Sequence, residues 1–312
     1  MTPQYSIIIP HHNIPDLLHR CLSSIPQRKD LQVIVIDDKS DEQYIPFLNQ
    51  LEKEYSWAKF IYSKAGKGAG HARNIGLEYA EGEYILFADA DDYFTYCIGE
   101  VLDNYKGNQS DIIFFNAVSL DTDTYTASNR SIQLNEIIKG YNKNPDQAII
   151  RLKYTFGEPW CKMISHELIK RNNIRFSETI IHNDTKFSYL VGYYGQKIKI
   201  DNRAIYCVTD RKGSVSKRVS LDRLLIRTAV FSEANHFFKS HNINIFDERC
   251  LRPLISLLIK KDIVHTKQCV EIMKQNGMTN LSIILHCLCF PFYVIARSRI
   301  ILKKYLLKHI YA

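Results

Sequence analysis

Residues 66–94 read GKGAGHARNIGLEYAEGEYILFADADDYF, and the fold is decided here. A glycine-rich loop opens a helix on which Ala72, Ile75, Gly76, Tyr79 and Ala80 recur at helical spacing. Gly82 is placed to end that helix. Tyr84–Ala88 is an unbroken apolar run, as expected of a strand buried on both faces, and it leads straight into Asp89, Asp91 and Asp92. In open α/β sheets, ligands bind off the carboxyl ends of the strands, which is where these carboxylates fall.

The flanking sequence repeats the alternation. Upstream, Ser6–Ile9 ends at Pro10, Leu31–Ile36 (LQVIVI) ends at Asp37-Asp38-Lys39-Ser40, and Phe60–Tyr62 reads as a third strand. Asn13 with Asp16, and Ser40 with Gln43, have the spacing of helix capping boxes. Strands alternating with helices predict a parallel βαβ sheet. Downstream, Asp111–Val118 and Lys197–Val208 read as strands, 121–130 as a loop, and Glu167–Arg171 as a helix. Phe187, Leu190, Val191 and Tyr194 form a helical stripe behind Asn183, and from Leu221 the pattern is helical to the end.

Three segments carry candidate chemistry. Carriage of Asp89, Asp91 and Asp92 on one turn is repulsive unless a cation compensates. Mg²⁺ or Mn²⁺ takes one or two carboxylates and leaves its other positions to phosphate oxygens; the alternative is a solvated acidic turn capping the next helix. Asp38 can accept hydrogen bonds from a ribose or a base, or simply favour a helix start. Backbone amides of the glycine loop, with Lys67 and Arg73, suit phosphate, whereas a basic surface loop is the plainer interpretation. The loop lacks the GK[ST] of a P-loop. It also fails the dinucleotide fingerprint, since Arg73 stands at the third glycine position.

The chain has 312 residues, 46% hydrophobic and 24% charged, the balance of an ordinary globular protein. Its formal charge of +8 calls for an anionic partner. No acid follows Glu271, while Lys274, Arg297, Arg299, Lys303, Lys304 and Lys308 do. The segment from Leu281 onward is apolar, aromatic and basic. That composition suits a helix lying in an anionic membrane interface, and equally a helical cap with a basic outer face. Pro291 and the lack of a long apolar run argue against a spanning helix. The start MTPQYSIIIP has neither a basic region nor a cleavage site, so no secretory signal is expected and a cytoplasmic location follows. The eight cysteines show no CxxC pair and are expected to be reduced thiols. No nucleic-acid recognition module accompanies the basic tail, so nucleic acid is not an expected partner.

SIIIPHHN (6–13), VIVIDDKSDE (33–42) and the 66–94 block together resemble the family 2 glycosyltransferases of the GT-A fold, of the bacterial capsular and cell-surface polysaccharide type. The likeness is strong through residue 95 and weaker to about Lys217. It implies an α/β GT-A domain over 1–218, with a donor half (1–118) and an acceptor half (119–218), followed by a helical region over 219–312. By position, Pro10 and Asp38 would lie at the uridine, and Lys67, Gly68 and Arg73 near the base and diphosphate. Asp89-x-Asp91 would be the DxD motif, with Asp91 on a Mn²⁺ or Mg²⁺ ion and Asp89 near the ribose or the metal.

Asp184, in IIHNDTKF (180–187), would match the catalytic aspartate that deprotonates the acceptor hydroxyl. Asn183 departs from the Glu usual before it, and an ordinary helix start is the competing interpretation. Arg211 and Lys212 resemble the loop that closes over the diphosphate, although the histidine ligand common there is missing. No QxxRW motif is found, which favours one sugar per encounter. The implied function is inverting transfer of a hexose or N-acetylhexosamine from a UDP-sugar to a cell-surface or lipid-linked glycan. A sugar nucleotidyltransferase is the first rival, but it would carry glycines where this chain has PHHN. A non-catalytic nucleotide-sugar-binding protein is the second.

Overall fold

The computed structural model describes residues 2–211 and 220–291. The chain divides into two compact units, Met1–Arg218 and Val219–Ala312. The first alternates strand and helix in the order β1 (Tyr5–His11), α1 (Pro15–Ser23), β2 (Leu31–Asp38), α2 (Ile45–Glu54), β3 (Ala58–Ser63), α3 (Ala69–Tyr79), β4 (Tyr84–Phe87) and β5 (Tyr93–Phe94). It continues through α4 (Ile98–Asn104), β6 (Ile112–Asp121), α5 (Ile132–Gly140), α6 (Pro145–Tyr154), β7 (Lys162–Ser165), α7 (His166–Arg171), α8 (Thr185–Tyr194) and β8 (Ile198–Asp210).

The strands form one mixed sheet in the order β3-β2-β1-β4-β7-β6-β8-β5. β1 to β4 are parallel, as the alternation predicts, whereas β7 runs antiparallel to both β4 and β6. Every residue of β1 and nearly every residue of β2 is buried, which explains their unbroken aliphatic runs. The chain winds from β1 outward to β2 and β3, then returns to place β4 on the other side of β1. That reversal of strand order opens a crevice at the carboxyl ends of β1 and β4.

Pro10 is tolerated in this central strand for a local reason. The carbonyls of Gln4 and Ile8 accept from Tyr84 and Ala88, so the even-numbered residues of β1 face β4. The β1–β4 pairing ends at Ile8 opposite Phe87, and the missing Pro10 N–H falls beyond it.

Several local expectations are corrected. Asn13 does not cap α1: it sits at φ 58° and its side chain exchanges hydrogen bonds with Asp41. The Ile14 amide near the start of α1 instead donates to His11 Nε2. Ser40 does not cap the next helix either, because its hydroxyl donates to Asp37 and accepts from the Asn13 amide. Gly82 lies past the end of α3 and is needed for close approach. A Cβ there would stand 2.5 Å from the Tyr5 carbonyl carbon. α5, α6 and β7 fall where the sequence shows no clear pattern.

The second unit holds α9 (Leu221–Ser240), α10 (Leu251–Ile259), α11 (Ile263–Gln275) and a helix over 280–291. Phe231, Leu251, Leu254, Leu257, Met273 and Ile283 form its core. No described helix is long and apolar enough to cross a membrane. None of the eight cysteines forms a disulfide.

Candidate active site

Four strand ends build one side of the candidate site. The β1–β2–β3 register brings His11 opposite Asp37, and Asp38 opposite Ser63. His11 Nδ1 donates to Asp37 at 2.8 Å while its Nε2 accepts from Ile14, so both ring nitrogens are used structurally. Burial would raise the Asp37 carboxyl, but hydrogen bonds from His11 and Ser40 outweigh this and hold it below the usual carboxylate range. Asp37 and His11 thereby fix the turn that carries Asp38.

Asp38 is buried and accepts from two loop amides, Lys67 N at 3.3 Å and Gly68 N at 2.5 Å. Gly68 has φ 91° and ψ 176°, a region essentially reserved for glycine, and immediately precedes α3. The Lys67 ammonium pairs with Glu178 at 3.5 Å, and His71 meets the same carboxylate at 2.9 Å. The amides of Lys67 and Gly68 and the Lys67 charge are therefore committed to protein carboxylates here.

The turn after β4 carries Asp89 and Asp91. Arg73 is buried in the first turns of α3 and points two ways. Its Nη2 donates to Asp89 at 2.5 Å and its Nη1 donates to Asn183 at 2.9 Å. Arg211, at the end of β8, donates through Nε to Asp91 at 2.9 Å. The backbone of this turn is pinned as well: the Asp91 carbonyl accepts from Arg20 and from the Thr209 hydroxyl, both at 2.6 Å. The Asp89 amide donates to the Tyr206 hydroxyl. Asp92 does not share the site. It is buried and accepts from the Thr209 amide at 2.7 Å, and burial, then Asp89 and Asp91, push its carboxyl well above the ordinary range.

Asp184 stands at the start of α8, next to Asn183. It occupies the N-cap position that the sequence offered to Asn183, and its side chain makes no capping hydrogen bond. Although partly exposed, it is densely surrounded, and that environment, followed by the nearby Glu158 carboxylate, pushes it up to about 6; Arg73 opposes the rise. Glu158 and Lys162 were not singled out by the sequence. Lys162 is buried, donates to the Phe156 carbonyl at 2.9 Å and to Ser188 at 3.0 Å, and lies over the Phe156 ring. Burial lowers its ammonium to about 8, against the pull of Glu158 and Asp184. A lysine within PWCKMIS gives no periodic signal of burial; only the antiparallel β7 puts it behind α8.

The segment from Ser177 to Asn183 docks on the glycine loop because Gly70 lacks a side chain. A Cβ at Gly70 would come 2.1 Å from the Ser177 carbonyl oxygen and 2.9 Å from Asn183 Cβ. Gly70→Val is expected to cost about 1–3 kcal/mol and to separate Arg73 from Asn183. Thermal melting together with turnover tests this, and an unchanged melting temperature would contradict it.

Among the described residues, no three His, Cys, Asp or Glu side chains form a ready metal cage. Asp89 and Asp91 each give one oxygen to an arginine, and no described residue donates to the other. Two such oxygens fit a hard cation whose remaining ligands are phosphate and water. Lys212, the other cation of the expected closing loop, lies outside the described residues.

Comparison with known proteins identifies the fold and the family. The chain is 26% identical over 321 aligned positions to the cholesterol galactosyltransferase of Borreliella burgdorferi, covering 89% of each chain. It is 32% identical over 180 positions to the poly(ribitol-phosphate) beta-glucosyltransferase of Bacillus spizizenii, covering 55% of this chain and 26% of that protein. Among solved structures, Staphylococcus aureus TarS 1–349 in complex with UDP-GlcNAc superposes with a TM-score of 0.56 at 18% identity, covering 87% of this chain and 92% of that one. At this identity the likeness speaks of the fold, which is GT-A. The profile of Glycosyl transferase family 2 matches residues 6–172, more than half the chain, and spans β1, the glycine loop, the Asp89–Asp91 turn and β7. The chain belongs to Glycosyl transferase family 2.

Proposed function

We propose that the protein transfers a hexose or N-acetylhexosamine from a UDP-sugar to a hydroxyl of a cell-surface or lipid-linked glycan, with inversion. The observation that carries this reading is the Asp89–Arg73–Asn183 bridge, which ties the donor-side turn to the residue beside Asp184. A base held at that junction can reach a hydroxyl aimed at the anomeric carbon. The acceptor oxygen forms its bond to that carbon as the bond to the diphosphate breaks. The hydroxyl proton passes to Asp184 Oδ, and UDP leaves. Asp91 and Asp89 would hold a divalent ion, Mn²⁺ or Mg²⁺, which when bound neutralises charge on the leaving diphosphate. Arg211 adds a fixed cation beside Asp91.

Support for uridine comes from the GT-A neighbour with UDP-GlcNAc. Another neighbour, a mannosyltransferase from Pyrobaculum calidifontis, is solved with GDP-Man and Mn²⁺, at a TM-score of 0.54 and 14% identity. A guanosine donor is therefore the natural control. The test is release of free nucleotide from a panel of UDP- and GDP-sugars in the presence of lipid-linked glycan acceptors. UDP release that depends on acceptor supports the reading, and release from GDP-sugars alone would overturn the donor.

The pH dependence follows from Asp184. A base must be ionised to accept a proton, so kcat is expected to rise about tenfold per pH unit below the carboxyl's value of about 6 and level off above it. Arg73 lowers that value. Arg73→Met should therefore move the acid limb to higher pH, whereas an unmoved limb would remove Arg73 from the electrostatics of the base.

A further inference from the structure

The two units differ sharply in charge. Residues 1–218 contain 27 Lys and Arg against 27 Asp and Glu, whereas residues 219–312 contain 14 against 6. The chain's entire formal charge of +8 therefore belongs to the C-terminal unit.

Among the described residues, that unit also presents an apolar face that nothing covers. The 280–291 helix contains no Asp, Glu, Lys or Arg. One side of it packs inward: Ile283 is buried, Cys287 and Phe290 lie against the core, and His286 stacks on Phe246 at 3.6 Å. Its other side carries Leu281, Ile284, Leu285 and Leu288, each between 52% and 67% exposed. Their i, i+3, i+4, i+7 spacing makes one continuous stripe. A helix apolar on both sides is normally buried on both. Elsewhere in the unit, at the α10–α11 corner, Ile259 and Ile263 are also exposed, with Lys260, Lys261 and Asp262 between them.

We infer that the outer stripe of the 280–291 helix docks on an anionic lipid surface. A second copy of the chain is the less favoured occupant, because two units of +8 repel one another. Acidic headgroups instead attract the unit while the acyl boundary takes up the stripe. Lysines such as Lys260 and Lys261 can lay their stems along apolar surface and keep their charge at headgroup level. The inference is independent of the donor assignment, and it would bring the enzyme to a lipid-linked acceptor.

The experiment is co-sedimentation of the full chain with vesicles of phosphatidylcholine alone or mixed equally with phosphatidylglycerol. Binding is expected only to the mixed vesicles, weakening as salt rises above about 0.1 M, where screening falls inside ~10 Å. The Ile284→Glu/Leu288→Glu variant should bind at least about tenfold less, since two aliphatic side chains lose their apolar seat. Its melting temperature and nucleotide binding should be unchanged, because both side chains are exposed. Equal binding to neutral vesicles, or a variant that binds like the wild type, overturns the inference. A dimer in the absence of lipid that this variant dissolves would assign the stripe to a second copy and also overturn it. Nucleotide binding, measured in parallel, reports separately on the proposed function.

Discussion

Asp184→Asn is expected to lower kcat by about 10³-fold, within the range contributed by general acid–base catalysis, while leaving donor affinity within a few-fold of wild type. The reasoning is local. Asparagine keeps the shape of the side chain but cannot take the acceptor proton. The carboxylate accepts no hydrogen bond from another described side chain, so the substitution strands no donor. The same argument predicts an opposite effect on stability. The Asp184 carboxyl is raised by its surroundings from an ordinary value near 4 to about 6. A raised acid favours the folded state while protonated; that benefit fades as pH rises through this window and becomes a fixed penalty above about 6. The variant should therefore melt higher than wild type above pH 6 while being nearly inactive. A variant that keeps full turnover would remove Asp184 from the mechanism. One that loses turnover together with fold would point to a structural role.

Asp91→Ala is expected to abolish the divalent-ion dependence of nucleotide binding, lowering affinity in the presence of Mn²⁺ to the ion-free level, a loss of at least about tenfold on the scale of losses at metal sites. Asp91 contributes one oxygen to Arg211 and has its other oxygen without a described donor, so the substitution removes a ligand and releases the arginine. Asp92→Asn is the internal contrast. Asp92 is buried, its carboxylate accepts from the Thr209 amide, and burial raises its carboxyl well above the ordinary range. Its substitution should leave the ion dependence intact. Equal losses from the two changes would mean that the acidic turn acts as a structural unit and not through one ligand.

The strands from β1 to β4 were legible because their signals are local. β1, β2 and β4 are buried on both faces, so their aliphatic runs stand out, and the acids at their ends fall on one edge by topology alone. The cap assignments failed where tertiary partners displaced the cap contacts: Asn13 turns to Asp41, and the Ser40 hydroxyl accepts from the Asn13 amide. Lys162 and Glu158 were missed because they become neighbours of Asp184 only after an antiparallel strand and a helix pack together, and short β7 has no periodicity to announce it. The partner of Asn183 is also visible only in three dimensions. Its side-chain oxygen accepts from Arg73 at 2.9 Å. The outer stripe of the 280–291 helix was visible as composition, but which of its residues face away from the core was not.

The most direct test of the account is calorimetric titration of UDP into the wild-type protein, with and without Mn²⁺. The account predicts binding that is tight with the ion, at least about tenfold weaker without it, and reduced to the ion-free level by Asp91→Ala. Folded protein that binds no uridine nucleotide under either condition would contradict it.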